Sequence, residues 1–172
     1  LLLGGAQERN RRAGTENLPA IAGMAAALEE ALAELNETGA RVAALRDQLI
    51  AGLGKIARSH LNGDAARRLP GNVSFCFEGL EGESLLLLLD ARGIAASSGS
   101  ACTSGSLDPS HVLLALGRPH EIAHGSLRLS LSRHTTQPEI DYVLATVPGV
   151  VDYLRKISPV WERIVRENAE NQ

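Results

Sequence analysis

Cys102 stands in a stretch almost without bulk or charge, AASSGSACTSGS at residues 95–106. A loop of this kind has high conformational entropy and little to bury, so it is expected to be mobile. A mobile thiol suits a carrier that takes a group at one place and delivers it at another. The alternative is a linker with an incidental cysteine, although a thiol among Gly and Ser has little to pack against. A second residue with chemical reach is Arg128. It lies in SLRLSL at 126–131, where Leu127, Leu129 and Leu131 share one face and Arg128 and Ser130 the other. A guanidinium fork meets a carboxylate with two parallel hydrogen bonds. The plainer alternative is a surface arginine on an edge strand. Cys76 lies in the alternating run NVSFCF at 72–77 and reads as structural. His60, His120, His124 and His134 lack metal-like spacing to each other, and His111, in the first turn of a predicted helix, reads as a packing residue ahead of one that tunes the thiol or closes the site.

The elements that must hold these residues can be read from periodicity. Residues 4–17 are polar and Gly/Arg-rich and read as a loop. Ile21, Met24, Ala25, Leu28, Leu32 and Leu35 then recur at helical spacing, and Val42, Leu45, Leu49 and Leu53 continue it. One long helix, or two nearly collinear ones, is expected. The run at 72–77 alternates as a strand with Val73, Phe75 and Phe77 on one face. Residues 83–91 form a short buried helix closed by Gly93. Asp108 and Pro109 are expected to open a helix as N-cap and first residue, with Gly117 ending it. Thr136 and Glu139 form a capping box ahead of Ile140, Val143, Leu144 and Val147, and Pro148 is expected to kink or restart that helix. A last helix spans about 158–166. Few strands among many helices give an α+β reading, with a small, mostly antiparallel sheet packed by helices.

Composition narrows the function. The 172 residues are 44% hydrophobic but 3% aromatic, so Leu, Ala, Val and Ile must fill the core. The net charge of -3 gives no field for nucleic acid, and the local cluster Arg9, Arg11 and Arg12 reads as a solvated loop. Two distant cysteines form neither a disulfide framework nor a zinc set. The apolar run at 85–89 is far short of the ~20 residues needed to cross a bilayer. A soluble, cytoplasmic protein is expected. The opening LLLGG reads as a strand end and a turn, as if the chain began inside a larger protein.

Four motifs carry a family resemblance. GIAASSGSACTSG at 93–105, followed by PSHV at 109–112, resembles the active-site loop of cysteine desulfurases of the nitrogen-fixation type. GGAQERNRRAGTEN at 4–17 resembles a second motif of these enzymes, PGNVSF at 70–75 with EGE at 81–83 a third, and LRLS at 127–130 a fourth. They occur in the family's order along nearly the whole chain. The resemblance implies the C-terminal part of a fold-type-I pyridoxal-phosphate enzyme. Residues 1–20 would be a remnant of the large cofactor-binding domain and 21–172 the small domain with the cysteine loop. It further implies that L-cysteine is converted to L-alanine while its sulfur passes as a persulfide to an iron–sulfur scaffold protein.

Within that resemblance, Cys102 matches the nucleophile and persulfide carrier, and is expected to share a nascent cluster briefly with the scaffold. Thr15 matches the threonine that binds the cofactor phosphate across a homodimer. Arg128 matches the arginine that grips the substrate carboxylate. Asn72 is expected near the site. Ala6 and Asn10 replace glycines usual in relatives, and Asn10 can still adopt positive φ. The family's cofactor lysine lies upstream of the matched motifs, and the lysines here, Lys55 and Lys156, belong to none of them. The chain by itself is therefore expected to be inactive. A non-catalytic sulfur-carrier or docking module and a selenocysteine lyase are the alternative readings.

Overall fold

A computed structural model describes residues 2–98 and 109–170. The chain forms two compact units that divide between Glu37 and Thr38. The first contains a short turn, α1 (Gln7–Asn10), and the start of the long helix α2 (Leu18–Leu53). Glu8, Arg9 and Asn10 have φ of 48°, 55° and 64°. Asn10 thus takes the left-handed conformation its type permits, and so do its two neighbours. The Gln7 side-chain oxygen accepts a bond from the Gly14 backbone N–H at 3.3 Å, which closes the segment that leads to Thr15. Asn17 caps α2, its Oδ1 accepting from the Ala20 N–H at 3.1 Å.

The second unit is built on an antiparallel sheet of order β1-β2-β3, from β1 (Ser59–Leu61), β2 (Asn72–Phe77) and β3 (Ser126–Ser130). Val73, Phe75 and Phe77 of β2 and Leu127 and Leu129 of β3 face the core, as the alternation predicts. Against them pack Leu45, Leu49 and Leu53 of α2, Leu85 and Leu89 of α3 (Gly82–Asp90), and Ile140, Val147, Val150, Val151 and Leu154 of a later helix. Short helices α4 (His111–Ala115) and α5 (His120–Ala123) contribute Leu113 and Ala123 to a smaller cluster around Cys76.

Three details depart from the sequence reading. Pro109 does not open α4: the helix begins at His111 with Ser110 at its N-cap position, and Asp108 lies outside the described residues. Pro148 neither ends nor restarts its helix, because α6 (Gln137–Lys156) runs through it. An interior proline costs about 3 kcal/mol. Val147, Val150 and Val151 are fully buried around it, at roughly 1.5–3 kcal/mol each, and outweigh that cost. The last helix, α7 (Pro159–Glu170), is longer than expected. Trp161 anchors its start: its ring lies against Gly79, which has φ +81°, and under the Arg155 guanidinium at 4.1 Å. The capping box forms as predicted, with Glu139 accepting from the Thr136 N–H at 2.7 Å.

Candidate functional site

Side chains alternate across a strand, so the residues between the core positions of β2 and β3 share the opposite face of the sheet. The register pairs Asn72 with Ser130, Ser74 with Arg128 and Cys76 with Ser126. His60 of β1 pairs with Cys76. This second face is polar. At its Cys76 end it is covered by Leu113 and Ala123, whereas Arg128 is exposed. Asn72 also lies on this face, diagonal to Arg128.

The chain leaving α3 joins the sheet beyond β3. Ser97 forms an antiparallel bridge with Arg128, its N–H donating to the Arg128 carbonyl at 3.0 Å and its carbonyl accepting from the Arg128 N–H at 2.6 Å. Gly93, at φ +73°, makes the turn that brings the chain there, with Ile94 buried behind it. The root of the cysteine loop is therefore laced to the backbone of Arg128. Cys102 itself lies outside the described residues, as do 99–108 as a whole.

Cys76 is not a competing nucleophile. It is fully buried, and burial pushes its thiol above the usual range, against smaller opposing effects of the Asn62 hydrogen bond and the Arg118 charge. The protonated thiol is the poor nucleophile of the two forms. Asn62 donates to Cys76 Sγ at 3.3 Å and accepts from Arg118 Nε at 3.0 Å. The sequence reading did not single out Asn62 or Arg118, which are brought together across 56 positions of chain. Thr15 is exposed in the first unit, just after Gly14 at φ +92°. Among the described residues no three His, Cys, Asp or Glu side chains form a metal-binding group.

A family model described as aminotransferase class-V matches residues 5–143. The chain belongs to the class-V aminotransferase family. It is 59% identical over 160 residues to a cysteine desulfurase IscS of Methanosarcina thermophila, covering 93% of this chain and 40% of that protein. It is 53% identical over 162 residues to a cysteine desulfurase NifS of Azotobacter vinelandii, covering 94% and 40%. The solved structure of a NifS-like protein superposes with a TM-score of 0.77 at 35% identity, over 90% of this chain and 39% of that one. The chain therefore spans about two fifths of the length of these relatives. The small antiparallel sheet with its helices is the fold read from the sequence, and it is shared with the NifS-like protein.

Within the first unit Thr15 has an exposed hydroxyl, whose chemistry fits a phosphate; within the second Arg128 has an exposed guanidinium, whose chemistry fits a carboxylate. Lys55 follows α2 and Lys156 is the last residue of α6. No helix among the described residues is long and apolar enough to cross a membrane.

Proposed function

We propose that the chain is the sulfur-handling part of a cysteine desulfurase that converts L-cysteine to L-alanine and carries the sulfur as a persulfide on Cys102. The observation that supports this most directly is the pairing of Ser97 with Arg128, which ties the residue five positions before Cys102 to a strand bearing an exposed guanidinium. Cys102 follows Ser97 by five residues, so its Cα can stand at most ~18 Å from that root, within reach of a substrate held at Arg128.

Arg128 binds and orients the substrate through its carboxylate. The Cys102 thiolate attacks the substrate sulfur. An S–S bond forms as the substrate Cβ–S bond breaks, and the carbon keeps the electron pair, takes a proton and leaves as L-alanine. Thr15 would hold the phosphate of pyridoxal phosphate, which when bound would supply the electron sink for this cleavage. Residues 1–20 belong in this reading to the large cofactor domain and 21–172 to the small domain. The enzyme acts as a cytoplasmic homodimer, and the sulfur passes to an iron–sulfur scaffold protein, as in nitrogen fixation.

The test is mass spectrometry of the full-length polypeptide, reconstituted with pyridoxal phosphate and given one equivalent of L-cysteine. One extra sulfur on the peptide holding Cys102, with free L-alanine in equal amount, is the expected result. An unmodified Cys102 alongside alanine release would refute the carrier role.

A further inference from the structure

Asn62, Ser74, Arg128 and Ser97 form one row across the sheet, on its polar face. Asn62 continues β1 and pairs with Ser74 through its backbone N–H at 2.8 Å. Ser74 pairs with Arg128, and Arg128 with Ser97. Because Arg128 spends its backbone N–H and carbonyl on Ser97, its pairing with Ser74 is of the non-hydrogen-bonded kind. Such pairs bring the two Cα atoms to about 4.5 Å and the side chains closest together.

Hydrogen-bond direction along this row is fixed from one end. Arg118 can only donate, and its Nε donates to Asn62 Oδ1 at 3.0 Å. The Asn62 amide is thereby oriented with its NH2 outward, donating to Ser74 Oγ at 3.1 Å and to Cys76 Sγ at 3.3 Å. Asn62 is 4% exposed, so water does not compete for these bonds. Ser74 Oγ is thus an acceptor toward Asn62 and must send its own proton elsewhere. Its neighbour Arg128 is also donor-only. Ser74 is half-buried and Arg128 exposed, and among the described residues neither side chain donates to an acceptor; a carboxylate offers an oxygen to each.

We propose that Ser74 is a second donor to the substrate carboxylate, held in that role by Arg118 and Asn62, so that Ser74 and Arg128 together select α-carboxylate substrates. This rests on the desulfurase reading for the identity of the substrate, but not for the carboxylate class.

The test uses the full-length polypeptide with pyridoxal phosphate and compares L-alanine with ethylamine, which lacks the carboxylate, by calorimetry. L-cysteine and cysteamine are compared in turnover. Ser74→Ala is expected to weaken L-alanine roughly tenfold or more and to leave ethylamine unchanged. Ser74→Thr should restore binding. Asn62→Asp, which draws the Ser74 proton inward while keeping the bond to Arg118, should behave as Ser74→Ala. Equal weakening of both ligands by Ser74→Ala, or none, overturns the assignment. If the wild type binds L-alanine but makes none from L-cysteine, the desulfurase reading falls, and calorimetry alone decides the role of Ser74.

Discussion

Replacing Arg128 with lysine separates a substrate contact from a structural one. The Arg128 side chain is exposed, and among the described residues its guanidinium has no hydrogen-bond or ion-pair partner. Its structural bonds to Ser97 are made by backbone atoms, which the substitution leaves in place. A surface change of this kind stays within about 0.5 kcal/mol of wild-type stability. At two to four degrees per kcal/mol for a unit of this size, the melting temperature should move by less than about 2 °C.

The effect on substrate should be much larger. Lysine keeps the charge but loses the fork, so one of two charge-assisted hydrogen bonds to the carboxylate is lost. Such a bond is worth about 1.5–3 kcal/mol, which lowers kcat/KM for L-cysteine roughly ten- to 150-fold. Cysteamine has no carboxylate and should lose little. The assay is alanine release from L-cysteine, and sulfide release from both substrates, by the reconstituted full-length enzyme. An unchanged kcat/KM, or equal losses for L-cysteine and cysteamine, contradicts the assignment. A melting temperature lowered by many degrees would show that Arg128 is structural.

Other perturbations probe the frame around the site. Burial alone would raise the Glu78 carboxyl, but its bonds from His60 and Arg58, both 2.6 Å, outweigh this and hold it below the usual range. A depressed carboxyl stabilises the fold above its unfolded pKa and loses that contribution as pH falls through the folded value. Glu78→Gln should therefore cost about 1–3 kcal/mol at pH 7 and flatten the loss of stability below about pH 4.5, measured by denaturant titration. Gly125→Ala would place a Cβ 2.0 Å from the Phe77 carbonyl oxygen. With only backbone to yield, it should cost about 1–3 kcal/mol in a thermal melt. Iodoacetamide at neutral pH should alkylate Cys102 in the native protein and reach the buried Cys76 only after denaturation, as peptide mapping would show.

Local pattern made much of this structure legible. The alternation at 72–77 placed Val73, Phe75 and Phe77 in the core and Cys76 on the other face, and the same rule left Arg128 pointing away from the core. What escaped was tertiary. Strand β1 is three residues long, too short for a period, and exists because His60 and Leu61 pair with Cys76 and Phe75. Pro148 was read by its local rule, which the buried valines around it override. Asn62 and Arg118 looked ordinary in sequence, since their roles arise from a contact between distant segments. The apolar stripe of α2 was visible, but periodicity could not show that Ile21, Met24, Leu28, Leu32 and Leu35 stay exposed while Leu45, Leu49 and Leu53 are buried.

The central claim is that Cys102 takes the sulfur of L-cysteine. It is tested most directly by alanine release from L-cysteine, comparing wild-type full-length enzyme with Cys102→Ala after both are shown to bind pyridoxal phosphate. Turnover by the wild type, with alanine formation abolished in Cys102→Ala and cofactor binding intact, is the predicted result. Undiminished alanine release by Cys102→Ala would contradict it.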